Sequence, residues 1–272
     1  MADVMQERGV RAGGPKAVLG MVHLAPLPGT PFHERGSFGR IVDAAVRSAR
    51  ALADGGADGC LVQTVDRVYA AGEDSDPART AAMAIAVKAI ADAPGAGFQV
   101  GVQLMHNALT ASLAVAKVAG ASYIRASALV GATFTAYGVV EARPLDVMEY
   151  RAKIGAEDIR IIAEVETMHF KWFGEPRTAG QVARAAVAVG ADAVAVSHHD
   201  EARAMGLVAS VREAVPQVPV FLAGNTNHDN AGRLLAAADG AFVGTCLESG
   251  GWGGAVDPAR VRAYMDIVRG LE

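Results

Sequence analysis

One local pattern recurs along this chain of 272 residues and restricts the folds that it can adopt. An Ala-rich amphipathic stretch leads into Gly-Ala with a small polar or acidic residue, and a short β-branched run follows. The copies read LADGGADGCLV, AKVAGASYIRA, RAKIGAEDIRIIAEV and AVAVGADAVAV, with a looser copy in LAAADGAFVG. A glycine just past a helix accepts the left-handed conformation that ends it, and the next residues enter a strand. Strands that alternate with helices predict a parallel sheet with right-handed crossovers.

The number of these units predicts how the sheet closes. Eight strands, each followed by a helical pattern, favour a single (β/α)8 TIM barrel over a doubly wound open sheet, and about 250 residues is the usual length for such a barrel. The last helix is predicted over residues 258–268, where Asp257 is the N-cap and Pro258 the first helical residue. The predicted strands are residues 17–22, 59–63, 98–103, 122–126, 159–165, 193–196, 218–223 and 240–243.

Composition narrows the class of protein. The net charge is −4 and no long basic run occurs, so we expect no nucleic-acid partner. No apolar run approaches the roughly 18 residues of a membrane span. Residues 1–16 carry scattered charges without an apolar signal core, which predicts a flexible leader before a barrel domain over 17–272. Two cysteines give no disulfide framework, so a reducing cytoplasm is expected.

A barrel also predicts where function lies, because active sites form on the loops that follow the carboxyl ends of the strands. Polar side chains follow nearly every predicted strand of this chain. They are His23, Gln63, Asp66, Gln103, His106, Asn107, Arg125, Ser127, Glu164, Glu166, His169, Ser197, His198, His199, Asp200, Asn225, Thr226 and Thr245.

Two carboxylates end the fifth predicted strand, in the stretch RIIAEVETMHF. Residues i and i+2 of a strand point the same way, so Glu164 and Glu166 can both project into the barrel mouth. Two close carboxylates repel and form an acid/base pair; the alternative is that Glu166 turns to solvent. We expect Glu164 to be the principal acid/base, with His169 or His198 as its partner in proton transfer.

The fourth predicted strand ends in an arginine that has two interpretations. Arg125, inside YIRAS, either pairs with Glu164 as a structural link or anchors an anionic substrate. Hydroxyl groups of the substrate need neutral polar partners. The residues expected to supply them are His23, Gln63, Gln103, Asn107 and Asn225.

The loops after the seventh and eighth predicted strands suit a phosphate group. Phosphate in barrels is bound by backbone N–H groups there, and Gly224 and Gly244 allow close approach while Thr245 adds a hydroxyl. The alternative is that these are tight turns that serve packing alone. The stretch ESGGWGG is long enough to act as a lid, with Trp252 as its cover.

No cofactor is expected, although a divalent metal is an open alternative. Glu164, His23 and His198 would offer the N and O ligands that suit a divalent transition ion. No compact motif such as HExxH supports that alternative.

Four motifs resemble a known family. GMVHLAPLPGTP, GADGCLVQ, IRASALVGA and FVGTCLESGG are similar to stretches of the BtpA/SgcQ family, and the likeness runs from about Val18 to Val268. The resemblance implies a fold like that of phosphate-binding TIM barrels. It also implies one of two roles. The family is named partly for a role in photosystem I biogenesis, whereas other members are encoded beside sugar-utilisation genes and are regarded as nucleosidase-like enzymes. The residues that match the family's pattern are His23, Asn107, Arg125, Gly131, Glu141, His169 and Gly244.

The chain departs from that pattern at several strand ends. The family's E-N-F-G-D after the second strand is Gln63 to Arg67 here, and a Thr-Gly or Ser-Gly pair after the sixth becomes Ser197-His198. Where the family tends to read A-D-x-x-x-K-H, this chain has Ala163-Glu164 and ends in Met168-His169. The lysine is absent, and Lys171 could substitute for it only by reaching from elsewhere. After the seventh strand, Ala223-Gly224-Asn225 replaces a G-S-G turn. These differences indicate a divergent branch.

Together these observations predict a cytoplasmic enzyme that acts on a sugar- or nucleoside-like metabolite, with or without a phosphate, by general acid/base chemistry. Glycosidic cleavage is preferred over isomerisation or a lyase step through the family analogy alone. The alternatives are a non-catalytic assembly factor of the BtpA type and a barrel enzyme dependent on a divalent metal. The expected partner is a small-molecule substrate, and homo-oligomerisation is left open.

Overall fold

The computed structural model describes residues 12–95 and 97–271 and confirms a (β/α)8 barrel. Eight parallel strands close in the order β1-β10-β9-β8-β7-β4-β3-β2. The barrel strands are β1 (Ala17–Leu24), β2 (Gly59–Thr64), β3 (Gln99–Gln103), β4 (Tyr123–Ala126), β7 (Arg160–Glu166), β8 (Ala193–Val196), β9 (Val220–Ala223) and β10 (Gly240–Val243).

A helix follows each barrel strand and covers its outer face. These helices are α1 (Phe38–Asp54), α2 (Pro77–Ala91), α3 (Leu109–Ala119), α4 (Pro144–Lys153), α5 (Ala179–Ala188), α6 (Glu201–Ala214), α7 (Ala231–Leu235) and α8 (Pro258–Arg269). Asp257 caps α8 by accepting from the N–H of Ala259, as its sequence predicts. Among the described residues, no helix combines the length and the apolar character needed to cross a membrane.

Two small antiparallel hairpins extend the loops at the mouth. Strands β5 (Ala132–Thr135) and β6 (Gly138–Glu141) form one after β4, and β11 (Glu248–Ser249) and β12 (Ala255–Val256) form the other after β10. The sequence pattern did not predict them, since strands of two to four residues are too short to show an alternation of apolar and polar residues. The second hairpin contains the predicted lid.

The observed strand bounds differ from the predicted ones by at most two residues. The predicted strand 218–223 starts later because the Val218 N–H bonds to the carbonyl of Val215 in a turn. Residues 1–11 of the predicted leader lie outside the described residues. Its last part contacts the barrel, because the Gly13 N–H donates to Asp239 over 2.8 Å and Lys16 Nζ donates to the Ala238 carbonyl over 2.9 Å.

The barrel interior is a packed apolar core with alternating small and large residues. Gly101 of β3 is paired with Tyr123 of β4, and a Cβ at position 101 would lie 2.0 Å from the Tyr123 ring. The glycine therefore makes room for a fully buried aromatic side chain, whose hydroxyl donates to the Cys60 carbonyl over 2.7 Å. The interior cluster is Ala17, Leu19, Met21, Leu61, Tyr123, Ile162, Ala193, Ala195, Phe221, Ala223 and Phe242.

Two residues beyond the last apolar member of several strands, the interior becomes polar. The alternation of a strand keeps residue i+2 on the same face, so the residues after this core also point inward. Pairs of this kind are Met21 and His23, Leu61 and Gln63, Gly101 and Gln103, Tyr123 and Arg125, Ile162 and Glu164, and Phe242 and Gly244. The fold thus places a polar layer directly on top of the apolar core, at the carboxyl end of the barrel.

Candidate active site

Three adjoining cavities open at the carboxyl end of the barrel. The large cavity has a volume of about 740 Å³, and the two smaller ones measure about 300 and 280 Å³. We call the cavity of about 740 Å³ the large cavity, that of about 300 Å³ the side cavity and that of about 280 Å³ the third cavity. The candidate residues that line the large cavity are His23, Gln63, Arg125, His169, Gly224, Asn225, Gly244 and Thr245.

A buried ion pair forms the floor of this site. Arg125 Nε lies 2.8 Å from Oε1 of Glu164, and the two residues are only 3% and 1% exposed. The Nε–H does not point along a hydrogen-bond direction, so the contact is electrostatic rather than an aligned hydrogen bond. Arg125 is therefore a structural link to Glu164, and the same side chain also lines the large cavity, so both interpretations of this arginine stay open.

Glu164 itself is enclosed by its neighbours. Its Oε2 accepts a short hydrogen bond from the Thr167 hydroxyl, and its Oε1 accepts one from Gln103 Nε2 over 3.4 Å. The same Gln103 amide donates to Ser127 Oγ over 3.1 Å. Glu164 is not among the residues that line the three cavities, so its carboxylate supports the site from below.

Glu166 takes a different direction from Glu164. The pairing of β7 with β8 shifts between these two residues, which is a β-bulge. A bulge re-aims the side chains that follow it, so the i and i+2 residues no longer share a face. Glu166 lines none of the three cavities, and the structure therefore does not bring the two carboxylates together as a pair at the mouth.

The guanidinium of Arg125 has free donors on its other side. Its Cζ lies 4.9 Å from the centre of the Phe242 ring, which holds the group flat against an apolar surface of β10. Among the described residues, no side chain or carbonyl accepts a hydrogen bond from it. An arginine fixed on one side and unbonded on the other is suited to bind an anion with two parallel N–H donors.

Two histidines next to this pair are held in the neutral form. Burial lowers the pKa of His169 to about 4, and the nearby Glu164 carboxylate only partly opposes that effect. Burial also lowers the pKa of His106. Their rings meet edge to face at 6.1 Å, and both line the side and third cavities. At neutral pH they can donate and accept single hydrogen bonds without adding charge.

His23 and Glu248 form a second couple at the mouth. His23 Nδ1 lies 3.7 Å from Oε1 of Glu248, which is buried, and the other carboxylate oxygen accepts the Gly253 N–H over 2.7 Å. The Trp252 ring covers His23 at 5.7 Å between centroids. The hairpin predicted as a lid therefore supplies both a carboxylate behind the imidazole and an aromatic ring over it.

The predicted phosphate loops lie on the wall of the large cavity. Gly224 and Asn225 both have positive φ, at 91° and 62°, a conformation that a glycine or an asparagine adopts most readily. A Cβ at Gly244 would lie 3.3 Å from Met21, and Thr245 begins a short 3-10 helix directly after it. Both turns thus lie where the sequence predicts a phosphate-binding backbone. Of the two glycines, only Gly224 has the left-handed conformation, since φ of Gly244 is −122°.

Besides Glu164 and Glu166, the structure places three more predicted site residues, Gln103, His198 and Asn107, away from the cavities. His198 Nδ1 accepts the Asp200 N–H over 2.9 Å, whereas His199, stacked on it at 4.3 Å, lines the large cavity. Asn107 donates to the Ala128 carbonyl and accepts the Ala128 N–H, over 3.0 and 2.8 Å. Both ends of its amide are engaged in fixing the loop after β4, and Asn107 lines none of the three cavities, so the geometry does not support a substrate contact.

The residues proposed as metal ligands do not converge. Glu164 is paired with Arg125, His23 faces Glu248, and His198 belongs to a turn. No group of three or more histidine, cysteine or carboxylate side chains within residues 12–95 and 97–271 is arranged to hold a metal ion.

Several functional positions escaped the sequence reasoning because they depend on loops that only the fold brings together. Thr167 fixes Glu164, Glu248 supports His23, and Tyr69 and Tyr137 line the side cavity. An i to i+3 spacing of a hydroxyl and a carboxylate at a strand end could have indicated the first. No local signal relates Glu248 to His23, which is 225 residues away.

The fold and this site define a class of protein, the (β/α)8 barrels that present a polar cavity at the carboxyl ends of their strands. Comparison with known families gives the particular one. The sequence model of the BtpA family matches residues 14–270, and the chain belongs to the BtpA family.

Relatives of this chain match it over most of their length. The photosystem I biogenesis protein BtpA of Synechocystis is 30% identical over 254 residues, which cover 92% of this chain and 87% of that protein. An uncharacterised protein of Thermococcus kodakarensis is 32% identical over 244 residues, covering 87% and 88%.

Solved structures support the fold alone. A tryptophan synthase chain from M. tuberculosis superposes with a TM-score of 0.60 at 18% identity, covering 98% of this chain and 96% of that one. Thiamine phosphate pyrophosphorylase from Pyrococcus furiosus gives 0.56 at 18% identity, covering 94% and 96%.

The buried pair makes a prediction for stability. Glu164→Gln leaves Arg125 charged and buried without its partner, so we expect a loss of about 3 kcal/mol in the free energy of unfolding. The control Glu166→Gln removes a half-buried carboxylate that has no ion pair in the described structure and should change stability by less than about 0.5 kcal/mol. Urea denaturation measures both.

A double-mutant cycle separates pairing from packing in this prediction. Arg125→Met combined with Glu164→Gln removes both charges, so the double variant should be more stable than the sum of the two single losses implies. Strictly additive losses would show that the two side chains do not interact, and would contradict the assignment of this pair.

The neutral state of His169 predicts a pH dependence of stability. The unfolded chain binds a proton on this histidine near pH 6.5, whereas the folded chain binds it only near pH 4, so stability falls as the pH drops through that window. The loss from this residue is at most about 3 kcal/mol. His169→Asn should flatten the slope between pH 7 and 5 in urea denaturation, whereas His199→Asn, at an exposed histidine, should leave it unchanged.

Proposed function

We propose that this protein is an enzyme that acts on a phosphorylated sugar- or nucleoside-like metabolite through histidine-centred acid/base chemistry. The observation that carries the proposal is the Arg125 guanidinium. It is held by Glu164 and Phe242 and faces the large cavity, whose wall includes the Gly224 and Gly244 turns.

An anion at this place would meet complementary groups. Phe242 and Gly244 lie on the same face of β10, so the arginine that stacks on Phe242 is close to the loop that begins at Gly244. Phosphate is a good match for a guanidinium fork, and backbone N–H groups of tight turns add further donors. Thr245 offers a hydroxyl on the same wall.

The acid/base role moves from Glu164 to the histidines. Glu164 is closed off by Arg125, Thr167 and Gln103, so it orients the anion-binding arginine instead of reaching the substrate. We assign proton exchange to His23, because its Nδ1 lies 3.7 Å from the Glu248 carboxylate, a close contact without a hydrogen bond among the described residues, which leaves the other ring nitrogen for the substrate. His169 supplies a neutral hydrogen-bond partner on the opposite wall.

Several reactions fit such a site. Cleavage of a glycosidic bond is our preferred reaction: His23 takes a proton from the attacking water as the water oxygen bonds to the sugar carbon, the bond to the leaving group breaks, and His23 returns the proton to the departing group. Isomerisation and a lyase step use the same groups. Preference for the first rests on family analogy. A cytoplasmic location and a small-molecule substrate belong to the same proposal, and homo-oligomerisation is left open.

One observation favours a second candidate function, that of an assembly factor like the photosystem I biogenesis relative. Phe134 of β5, which also lines the third cavity, and Phe173 of the loop after β7 are exposed next to one another, with ring centroids 6.0 Å apart. Exposed neighbouring aromatic side chains often mark a protein contact. A polar cavity of this size beside them is not needed for that role, so we place the enzyme first.

Binding of a simple phosphorylated probe tests the proposal. Ribose 5-phosphate should bind the wild type, and Arg125→Met with Glu164→Gln should weaken that binding by about 10- to 100-fold, because a charge-assisted pair of hydrogen bonds is lost while no unpaired charge is left behind. Isothermal titration calorimetry measures the affinity.

The control is another arginine stacked on an aromatic ring. Arg177 lies 4.7 Å from the Trp172 ring and lines none of the three cavities, so Arg177→Met should bind ribose 5-phosphate like the wild type. Equal affinity of the wild type and the Arg125–Glu164 double variant would overturn the anion site and the function built on it.

A further inference from the structure

The side cavity differs in chemistry from the large cavity beside it. Its own walls are aromatic and apolar, being formed by Val65, Tyr69, Met105, His106 and Tyr137. Tyr69 meets Tyr137 edge to face at 5.3 Å and His106 at 6.1 Å, which fixes three rings around one space. The Tyr137 hydroxyl donates to the Arg67 carbonyl over 2.8 Å, and this bond holds the β5–β6 hairpin over the loop that follows β2.

The walls of this cavity come from opposite sides of the barrel. Met168 follows β7, whereas Trp252 covers His23 of β1. Strands β1 and β7 are four positions apart in the closed order of eight, so they lie on opposite sides of the barrel. Both side chains also line the side cavity. Apolar surfaces thus approach the space from two directions and can desolvate both faces of a flat group.

These two apolar side chains are unusually exposed. Met168 is 71% and Trp252 is 63% exposed, although large apolar side chains are normally buried. Exposed apolar groups that gather around one opening mark a site for an apolar partner. Methionine sulfur and aromatic faces both make favourable contacts with aromatic rings.

A few polar atoms lie at the edge of the same space. Within the part of the chain that the structure describes, the buried His106 Nδ1 has no hydrogen-bond partner, and burial lowers the pKa of His106 and His169, so both offer neutral donors or acceptors. Gln63 also lines the cavity. Single neutral hydrogen bonds at the rim of an apolar slot suit the ring nitrogens and exocyclic groups of a heterocycle better than the many hydroxyls of a second sugar.

The side cavity and the large cavity are joined. Both are lined by His23, Gln63, Met168, His169 and Trp252, so these residues surround the passage between the two. The anion-binding loops follow β9 and β10, whereas Tyr69 and His106 follow β2 and β3, two to four positions away in the closed order of strands. A single ligand can therefore place a charge at one end and a second group at the other.

We infer that the side cavity binds a planar heteroaromatic ring carried by the same metabolite whose anionic group Arg125 binds. This inference rests on the proposed function, because it takes the anion at Arg125 as given, and it selects the nucleotide-like substrates over the simple sugar phosphates. The bond between ring and sugar then lies beside His23 and His169, in the passage that joins the two cavities.

Matched ligands test the inference directly. Adenosine 5′-monophosphate and uridine 5′-monophosphate contain ribose 5-phosphate plus a ring, so the difference in affinity reports the side cavity alone. Stacking of one base contributes enough for about a fivefold or larger gain. At least one nucleotide should therefore bind at least fivefold more tightly than ribose 5-phosphate.

The chain contains two tryptophans, which allows a local readout. In a Trp172→Phe background Trp252 is the sole tryptophan, and its fluorescence should be quenched by the nucleotide but little affected by ribose 5-phosphate. Tyr137→Ala should weaken nucleotide binding by fivefold or more and leave ribose 5-phosphate binding unchanged. The control Phe173→Ala removes an exposed aromatic ring that lines none of the three cavities and should change neither affinity.

The outcomes separate this inference from the proposed function. If neither nucleotide binds more tightly than ribose 5-phosphate while the Arg125–Glu164 double variant still loses ribose 5-phosphate, the ring site is wrong and the anion site stands. If none of the three ligands binds, both are wrong. A nucleotide advantage that Tyr137→Ala does not reduce would also overturn the side cavity as the place of the ring.

Discussion

The ion pair between Arg125 and Glu164 is the interaction on which the rest of the site depends. It sits where the apolar interior of the barrel gives way to the mouth, and the two residues are only 3% and 1% exposed. A buried charge without its partner is strongly unfavourable, so each residue requires the other. The carboxylate is used up by this pairing together with Thr167 and Gln103, and the arginine keeps its remaining donors for the cavity above. One strand thus supplies the supporting carboxylate, and its neighbour supplies the arginine that we propose as the anion-binding group.

The two histidines next to this pair carry no charge at neutral pH, which leaves Arg125 as the cation of this part of the large cavity. Burial keeps His169 and His106 neutral, so the arginine is the fixed cation that faces the large cavity near them. Interactions with an anion are stronger where water and competing charge are reduced. The His23–Glu248 contact lies under Trp252, and it is the place to which we propose to assign proton exchange. Binding and proton transfer are therefore assigned to different strands of one polar layer.

Much of this arrangement could be predicted from the sequence because strand alternation is a local rule. The eight strands and the inward residues His23, Gln63, Gln103, Arg125 and Glu164 follow from periodicity and from the Gly-Ala junctions. The direction of Glu166 could not, because a single bulge reverses it. The choice between two adjacent histidines depended on one turn bond at His198, and the role of Asn107 depended on a loop 21 residues away. Contacts made by hairpins and loops distant in sequence, such as Glu248 with His23, leave no local pattern.

The measurement that tests the account most directly is a crystal structure of the protein grown with phosphate. The account predicts a phosphate in the large cavity, with its oxygens about 2.7–2.9 Å from the terminal nitrogens of Arg125 and within reach of the turns at Gly224 and Gly244, while Arg125 Nε stays beside Glu164. A phosphate bound elsewhere, or an Arg125 side chain turned away from the cavity, would contradict it.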